Sequence, residues 1–372
     1  MKYTEGAGRL GLPDDFKFGI ELEANNVKTT GKDSLYHGES AQFIQSRNWH
    51  MASSHEEMLV GEGGAELVSP ILRDTESDWQ DVADMCEQMK KYPGNKGDKV
   101  VADSACGLHV HFDSGCLTKD PNRMKNFLRL YAESEELLYK MCNEKGSPIR
   151  KHAIKRNMTG IHLLSSPFHK GFANPTGQKI LKQIEDGTLR VSYKKMGRFK
   201  QFTKSLKIGN KRYSGLNLTN IGDPNKNTIE FRMANGSLDP EVIKQNVFLY
   251  ASLINTAIRV TDNPEQYKGR LDNFLRTDVS EEEKANSFLN LIMDSPDDRR
   301  IYMERWESVK DAPIFQKTAS KIFAKGRFTR DQFKAIAVRT PADLVKSTFN
   351  DLKEFIARTN EKGEVSYERW SV

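Results

Sequence analysis

Cysteine is scarce in this sequence: four in 372 residues, at positions 86, 106, 116 and 142. No two of them form a C-x-x-C pair. That argues against a cysteine zinc site and leaves reduced thiols as the expectation. No apolar run approaches the length of a membrane span. The opening stretch MKYTEGAGRLGLPDDF has no apolar core, which predicts no secretory signal and a cytoplasmic location. The sequons at Asn157, Asn217 and Asn235 then carry no meaning. There is no internal repeat and no low-complexity tract. A Walker A motif is also missing: GEGGAE at 61–66 lacks the Lys-Ser/Thr end and reads as a turn.

What is present fits a soluble globular chain, 37% hydrophobic and 29% charged, with material for one large domain or two ordinary ones. The net charge of +6 is unevenly spread. Residues 194–212, KKMGRFKQFTKSLKIGNKR, carry eight basic residues and no acidic one. Such a segment is either a plain solvated loop or a surface facing an anion. No helix-turn-helix, zinc-finger or RRM signature accompanies it, so a nucleic-acid partner is not expected. A phosphate-bearing small molecule or an acidic substrate fits the charge.

The chain divides by texture near residue 235. Before it, short apolar runs alternate with Gly- and Asn-rich turns: FKFGIELE (16–23), GAELVSPIL (64–72), GLHVHFD (107–113), YSGLNLT (213–219) and NTIEFRMA (227–234). Two helices interrupt them. One is 76–91, with Trp79, Val82, Ala83, Cys86 and Met89 on one stripe. The other is about 121–143, starting at Pro121 and carrying Phe127, Leu128, Tyr131, Leu138 and Met141. Beyond 238 the pattern turns helical. Asp239 is placed to cap and Pro240 to start an apolar helix. Polar helices are expected near 280–294, 297–309, 313–324, 329–338 and 341–358.

Side chains alternate across a strand, so each apolar run presents its ionisable residues on one face. Glu21 and Glu23 share a face, with Ile20 and Leu22 opposite. Glu66 sits in an apolar strand ending at Pro70. His109 and His111 share a face against Leu108, Val110 and Phe112. Glu230 and Arg232 oppose Ile229 and Phe231. One such strand is usually a solvated face; four in the same phase suggest one sheet with a charged face. Gathering that many carboxylates is prohibitive without counter-charge, which a divalent cation supplies. Carboxylates with an occasional imidazole suit Mg²⁺ or Mn²⁺ better than Zn²⁺.

The ordered set FGIELE, GAELVSP, CGLHVHFD, RYSGLNLT and TIEFRMANGSLD, spanning about residues 16–260, resembles the amidoligase family. These are carboxylate–amine ligases related to glutamate–cysteine ligase and glutamine synthetase. The resemblance implies an α+β fold: a glutamine-synthetase-like curved antiparallel sheet backed by helices. It implies a catalytic domain over 1–262 and, from the texture, a helical C-terminal subdomain over 263–372. It further implies an ATP-dependent enzyme that forms an amide through an acyl phosphate, with Mg²⁺ or Mn²⁺ as cofactor. By position, Glu21, Glu23, Glu66, His109 and Glu230 correspond to metal ligands. His111 would lie deeper, toward nucleotide or substrate. Arg232 would neutralise the transferring phosphate, and Arg212 and Asn217 would contact phosphate or substrate. The stretch WHMASSHEEMLVGEGG departs from the family pattern and leaves Glu56, Glu57 and Glu62 as unranked further ligands. The substrates would be a carboxylate and an amine, with a peptide or protein as a candidate for either. Oligomeric state is left open, and no membrane is expected as partner. Two rivals remain: a zinc hydrolase using the H-x-H strand, and a non-catalytic module gripping an acidic partner through 194–212.

Overall fold

The computed structural model describes residues 10–12, 16–28, 38–52, 64–92, 94, 99–102, 106–118, 120–149, 215–217, 220, 226–276 and 278–312. In chain order the elements are β1 (Phe18–Ala24), α1 (Gly38–Ser46), β2 (His50–Ala52), β3 (Ala65–Val68), α2 (Glu76–Lys91), β4 (Gly107–Asp113), α3 (Gly115–Thr118), α4 (Pro121–Met141), β5 (Leu216–Asn217), β6 (Thr228–Asn235), α5 (Pro240–Asp262), α6 (Pro264–Phe274), α7 (Glu281–Ile292) and α8 (Pro296–Val309). The class is α+β. Six strands form one sheet in the order β2-β3-β1-β4-β6-β5, and every pairing is antiparallel.

The alternation in the sequence becomes two chemically distinct faces. Phe18, Ile20 and Leu22 of β1, Leu67 of β3, Leu108, Val110 and Phe112 of β4, and Ile229 and Phe231 of β6 are buried together. Helices cover this apolar face. Trp79 of α2 packs on Phe18 with ring centroids 5.4 Å apart. Phe231 stacks on Tyr250 of α5 at 4.3 Å and meets Phe127 and Tyr131 of α4 edge-on. Truncating a ring so enclosed costs roughly 3–5 kcal/mol. The centre of the sheet is therefore a rigid platform for whatever stands on its other face.

The helices start where their caps are written. The Thr75 side chain accepts from the Asp78 amide at the head of α2. Asp120 and Asp239 cap α4 and α5, each followed by proline in the first turn, where a missing N–H costs nothing. Ser280 and Glu283 form a reciprocal capping box on α7. The helices expected near 280–294 and 297–309 are α7 and α8. They pack back on the α4–α5 layer. Lys140 of α4 binds them: its buried ammonium donates to the Lys310 carbonyl at 2.6 Å and lies 3.8 Å from Glu281. The helices expected at 313–324, 329–338 and 341–358 lie outside the described residues.

Four elements escaped the sequence pattern: α1, β2, α3 and α6. The first three are nine, three and four residues long, and too short or too mixed in composition for either period to show. Strand β6 holds a departure of another kind. Leu108 pairs with Ala234 and Val110 with Phe231, so His109 alone faces two residues, Arg232 and Met233. This β-bulge in β6 resets the alternation beyond Phe231. No helix among the described residues is long and apolar enough to cross a membrane.

Candidate active site

The polar face draws its side chains from five neighbouring strands, and the register decides which meet. Directly opposed residues in an antiparallel pair point the same way. Glu21 of β1 pairs with His109 of β4. Glu23 pairs with Glu66 of β3. His111 pairs with Glu230 of β6, and Asn217 of β5 pairs with Glu230 from the other side. Gly19 sits opposite His111 on this face, and its missing Cβ would lie 4.0 Å from the His111 Cβ.

Glu21 is the hub. Its Oε2 lies 3.1 Å from His109 Nδ1 and its Oε1 lies 2.9 Å from His111 Nε2. The other nitrogen of His109, Nε2, lies 3.3 Å from Glu23 Oε1. Glu23 also accepts the Gly107 amide at 2.5 Å. Glu230 is held at both ends: Asn217 Nδ2 donates to Oε2 at 2.6 Å, and Arg232 donates to Oε1. That Oε1 also lies 3.7 Å from His111 Nε2 and 3.8 Å from His109 Nδ1.

The group is more deeply set than a solvated sheet face. Glu23 and Glu230 are each 3% exposed, His109 1% and Arg232 5%. His109 is thus more enclosed than His111, the reverse of the depth expected from sequence; the His111 side chain keeps 18% exposure. Burial opposes charge on every carboxylate here, and the neighbours decide the outcome. For Glu21, hydrogen bonds and charge from both imidazoles overcome burial and hold it well below the usual range. Glu230 is likewise lowered against its burial, by Arg232 first and then by the histidines. For Glu66 the charge of Arg232 pulls downward but is outweighed. Burial and the charges of Glu21 and Glu23 push it up to about 8. His111 is raised, because Glu230 and Glu21 outweigh its desolvation.

The donor set fits a divalent cation. Glu21, Glu66 and His109 bring one ligand atom each within 4.8 Å of one another, and so do Glu21, His111 and Glu230. Glu21 belongs to both groups. His111 Nε2 lies 2.9 Å from Glu21 Oε1 and 3.7 Å from Glu230 Oε1, a buried ring nitrogen facing two carboxylate oxygens. Oxygen donors with one imidazole per group suit Mg²⁺ or Mn²⁺.

A family model described as "Putative amidoligase enzyme" matches residues 17–254. The chain belongs to this amidoligase family. No curated protein matches it. The match takes in every site residue above, and α6, α7 and α8 lie beyond it.

The structure brings together Glu21, Glu23, Glu66, His109, His111, Asn217, Glu230 and Arg232, eight of the residues singled out from sequence. Arg212, the alternatives Glu56, Glu57 and Glu62, and the basic segment 194–212 lie outside the described residues. Two residues expected on a ligand are held on Glu230. Asn217, expected on phosphate or substrate, is 4% exposed and holds Glu230. Arg232, expected on the transferring phosphate, rests on Glu230. Sequence reasoning missed the Gly107 amide on Glu23. A main-chain donor leaves no side-chain signal; the only sign was a glycine two residues ahead of the first histidine.

Proposed function

We propose that the protein is an ATP-dependent carboxylate–amine ligase acting on the polar face of a glutamine-synthetase-like sheet. The observation that carries this is the convergence on Glu21 of two three-donor groups from four strands, in a chain of the amidoligase family. Glu21, Glu66 and His109 would hold one divalent cation and Glu21, His111 and Glu230 a second, with Glu23 beside the first. Bound there, Mg²⁺ or Mn²⁺ would neutralise the oxygens of a nucleotide's phosphates.

The reaction divides in two. A substrate carboxylate attacks the γ-phosphorus of ATP, giving an acyl phosphate and ADP. The amine then attacks the acyl carbon and gives up a proton, the C–O bond breaks, and phosphate leaves carrying the former carboxylate oxygen. The chain's task is to fix the reactants and balance charge as phosphoryl passes. Arg232 stands at the polar face as a permanent cation. His111, the more exposed of the pair, would give its Nε2 to the second cation. The apolar platform under β1, β4 and β6 keeps the ligands from drifting. The basic segment 194–212 would face the anionic substrate, and a peptide or protein remains the candidate class for one partner.

The test is binding followed by turnover. Saturating Mg²⁺ with a non-hydrolysable ATP analogue is expected to raise the melting temperature by mass action. ADP release should then require both a carboxylate and an amine. An unchanged melting temperature overturns the reading. Turnover that needs Zn²⁺ and no ATP would favour a hydrolase using the H-x-H strand.

A further inference from the structure

Glu230 is tied by a side-chain donor on each oxygen, one of them a guanidinium. Asn217 holds Oε2, and Arg232 occupies Oε1. Yet Oε1 is also the oxygen facing His111 and His109, 3.7 and 3.8 Å away, on the side where Glu21, His111 and Glu230 converge. A guanidinium and a divalent cation cannot share that oxygen without strong repulsion at short range in a poorly solvated place. Removing Arg232 from Glu230 with nothing in exchange would strand a buried charge on each side. Exchange removes the difficulty, because each charge then has a partner throughout.

We infer that Glu230 is an exchange point: Asn217 fixes one oxygen, while the other passes from Arg232 to a divalent cation, releasing the Arg232 guanidinium to an anionic group of the substrates. Asn217 is then a positioning residue that never touches substrate. Arg232 serves twice, as resident counter-ion of the empty site and as anion receptor of the loaded one. Cation and anion binding are thereby coupled, each favouring the other by the same factor. The bulge supports this use of Arg232. His109 opposes two residues of β6, so Arg232 leaves the regular ladder with β4 while its amide stays bonded to the Gly215 carbonyl. The inference rests on the ligase reading only in taking the anion to be a phosphoryl or carboxylate group.

The experiment uses the full chain, Mn²⁺ and sulfate, titrated singly and together by calorimetry. In the wild type, saturating Mn²⁺ should tighten sulfate binding by at least about fivefold. In Arg232→Met, Mn²⁺ should bind about tenfold more tightly, and its effect on sulfate should disappear. In Asn217→Ala, Mn²⁺ binding should weaken by about 10–100-fold. Wild-type coupling retained in Arg232→Met overturns the inference, since sulfate would then be riding on the metal alone. A crystal of the wild type loaded with Mn²⁺ needs no variant: Arg232 still on Glu230 Oε1 overturns it, and Arg232 swung away supports it. Mn²⁺ and nucleotide binding with Arg232 unmoved would sink this inference and spare the ligase. Coupled Mn²⁺ and sulfate binding without nucleotide binding would do the reverse.

Discussion

Glu23 and Glu66 face each other across the β1–β3 pair, two carboxylates on one wall of the site. The arrangement is unfavourable for two charges, and only one of them has donors close by. Glu23 has His109 and the Gly107 amide. Glu66 instead takes up a proton, with its ionisation pushed up to about 8.

That proton gives the metal-free protein a pH dependence of definite sign. An unfolded Glu66 loses its proton near 4.5, whereas the native one holds it to about 8. Between these values the native state binds more protons, so stability falls as pH rises. His111 acts in the same direction: its raised native pKa gives stability that is present below its ordinary 6.5 and lost above. Glu21 and Glu230, both lowered, matter only in acid, below about the ordinary carboxylate range. Chelated protein should therefore melt lower at pH 8 than at pH 5.5. The slope can reach about 1.4 kcal/mol per pH unit for each such proton. Glu66→Gln should flatten the profile and raise stability at pH 8. Mn²⁺ should help more at pH 8 than at 5.5, because it must expel the proton to bind. A melting temperature flat or rising across this window refutes the assignment.

Substitutions at the site should separate activity from stability according to what is left behind. Glu21→Gln and Glu23→Gln keep side-chain volume and remove the ligand charge. Each should cut turnover by about a hundredfold or more with little loss of stability. Glu230→Ala is different, because it abandons a buried Arg232. It should lose about 3–5 kcal/mol in urea unfolding, and Glu230→Ala/Arg232→Met together should recover much of that. Wild-type stability in Glu230→Ala would mean that the buried pair is not formed.

Gly215 ties the site to the helices behind it. Its carbonyl accepts the Arg232 amide at 2.8 Å. A methyl group there would run into the Tyr139 hydroxyl and lie 3.2 Å from that of Tyr131. Both tyrosines are fully enclosed, so neither ring has room to yield. Gly215→Ala should cost about 1–3 kcal/mol and weaken Mn²⁺ binding along with it. An alanine variant of equal stability would place the hydroxyls elsewhere.

Much of this site could be read from alternation alone. A strict period of two in FGIELE, GLHVHF and TIEFR assigns each side chain to a face, and the polar face then collects the ionisable residues. What alternation cannot supply is register. That His109 meets Glu21, while Glu66 meets Glu23, depends on β1 lying between β3 and β4, a pairing across long stretches of chain. The bulge at Arg232 and Met233 was equally silent, because the sequence there keeps its alternation while the ladder does not. Burial was legible in kind, because four such strands in one phase gather their charges; that Glu23, His109, Glu230 and Arg232 are enclosed by one another needed the register. Asn217 was read by its family position as a ligand to substrate, and only the Glu230 contact revealed its other use.

The hub contact between Glu21 and His109 joins residues 88 apart in sequence, and the Gly107–Glu23 contact joins residues 84 apart. Glu230 arrives later still, on the last of the site's strands. On a growing chain, the carboxylates of β1 and β3 must wait for β6 to bring the one arginine that the described residues place in this cluster. Folding through such distant pairings is slow. Until β6 inserts, β4 is an open edge whose carboxylate neighbours repel their own kind and discourage association with other chains. Divalent cation present during synthesis would thus act as a folding partner, favouring the chain whose last strand has docked.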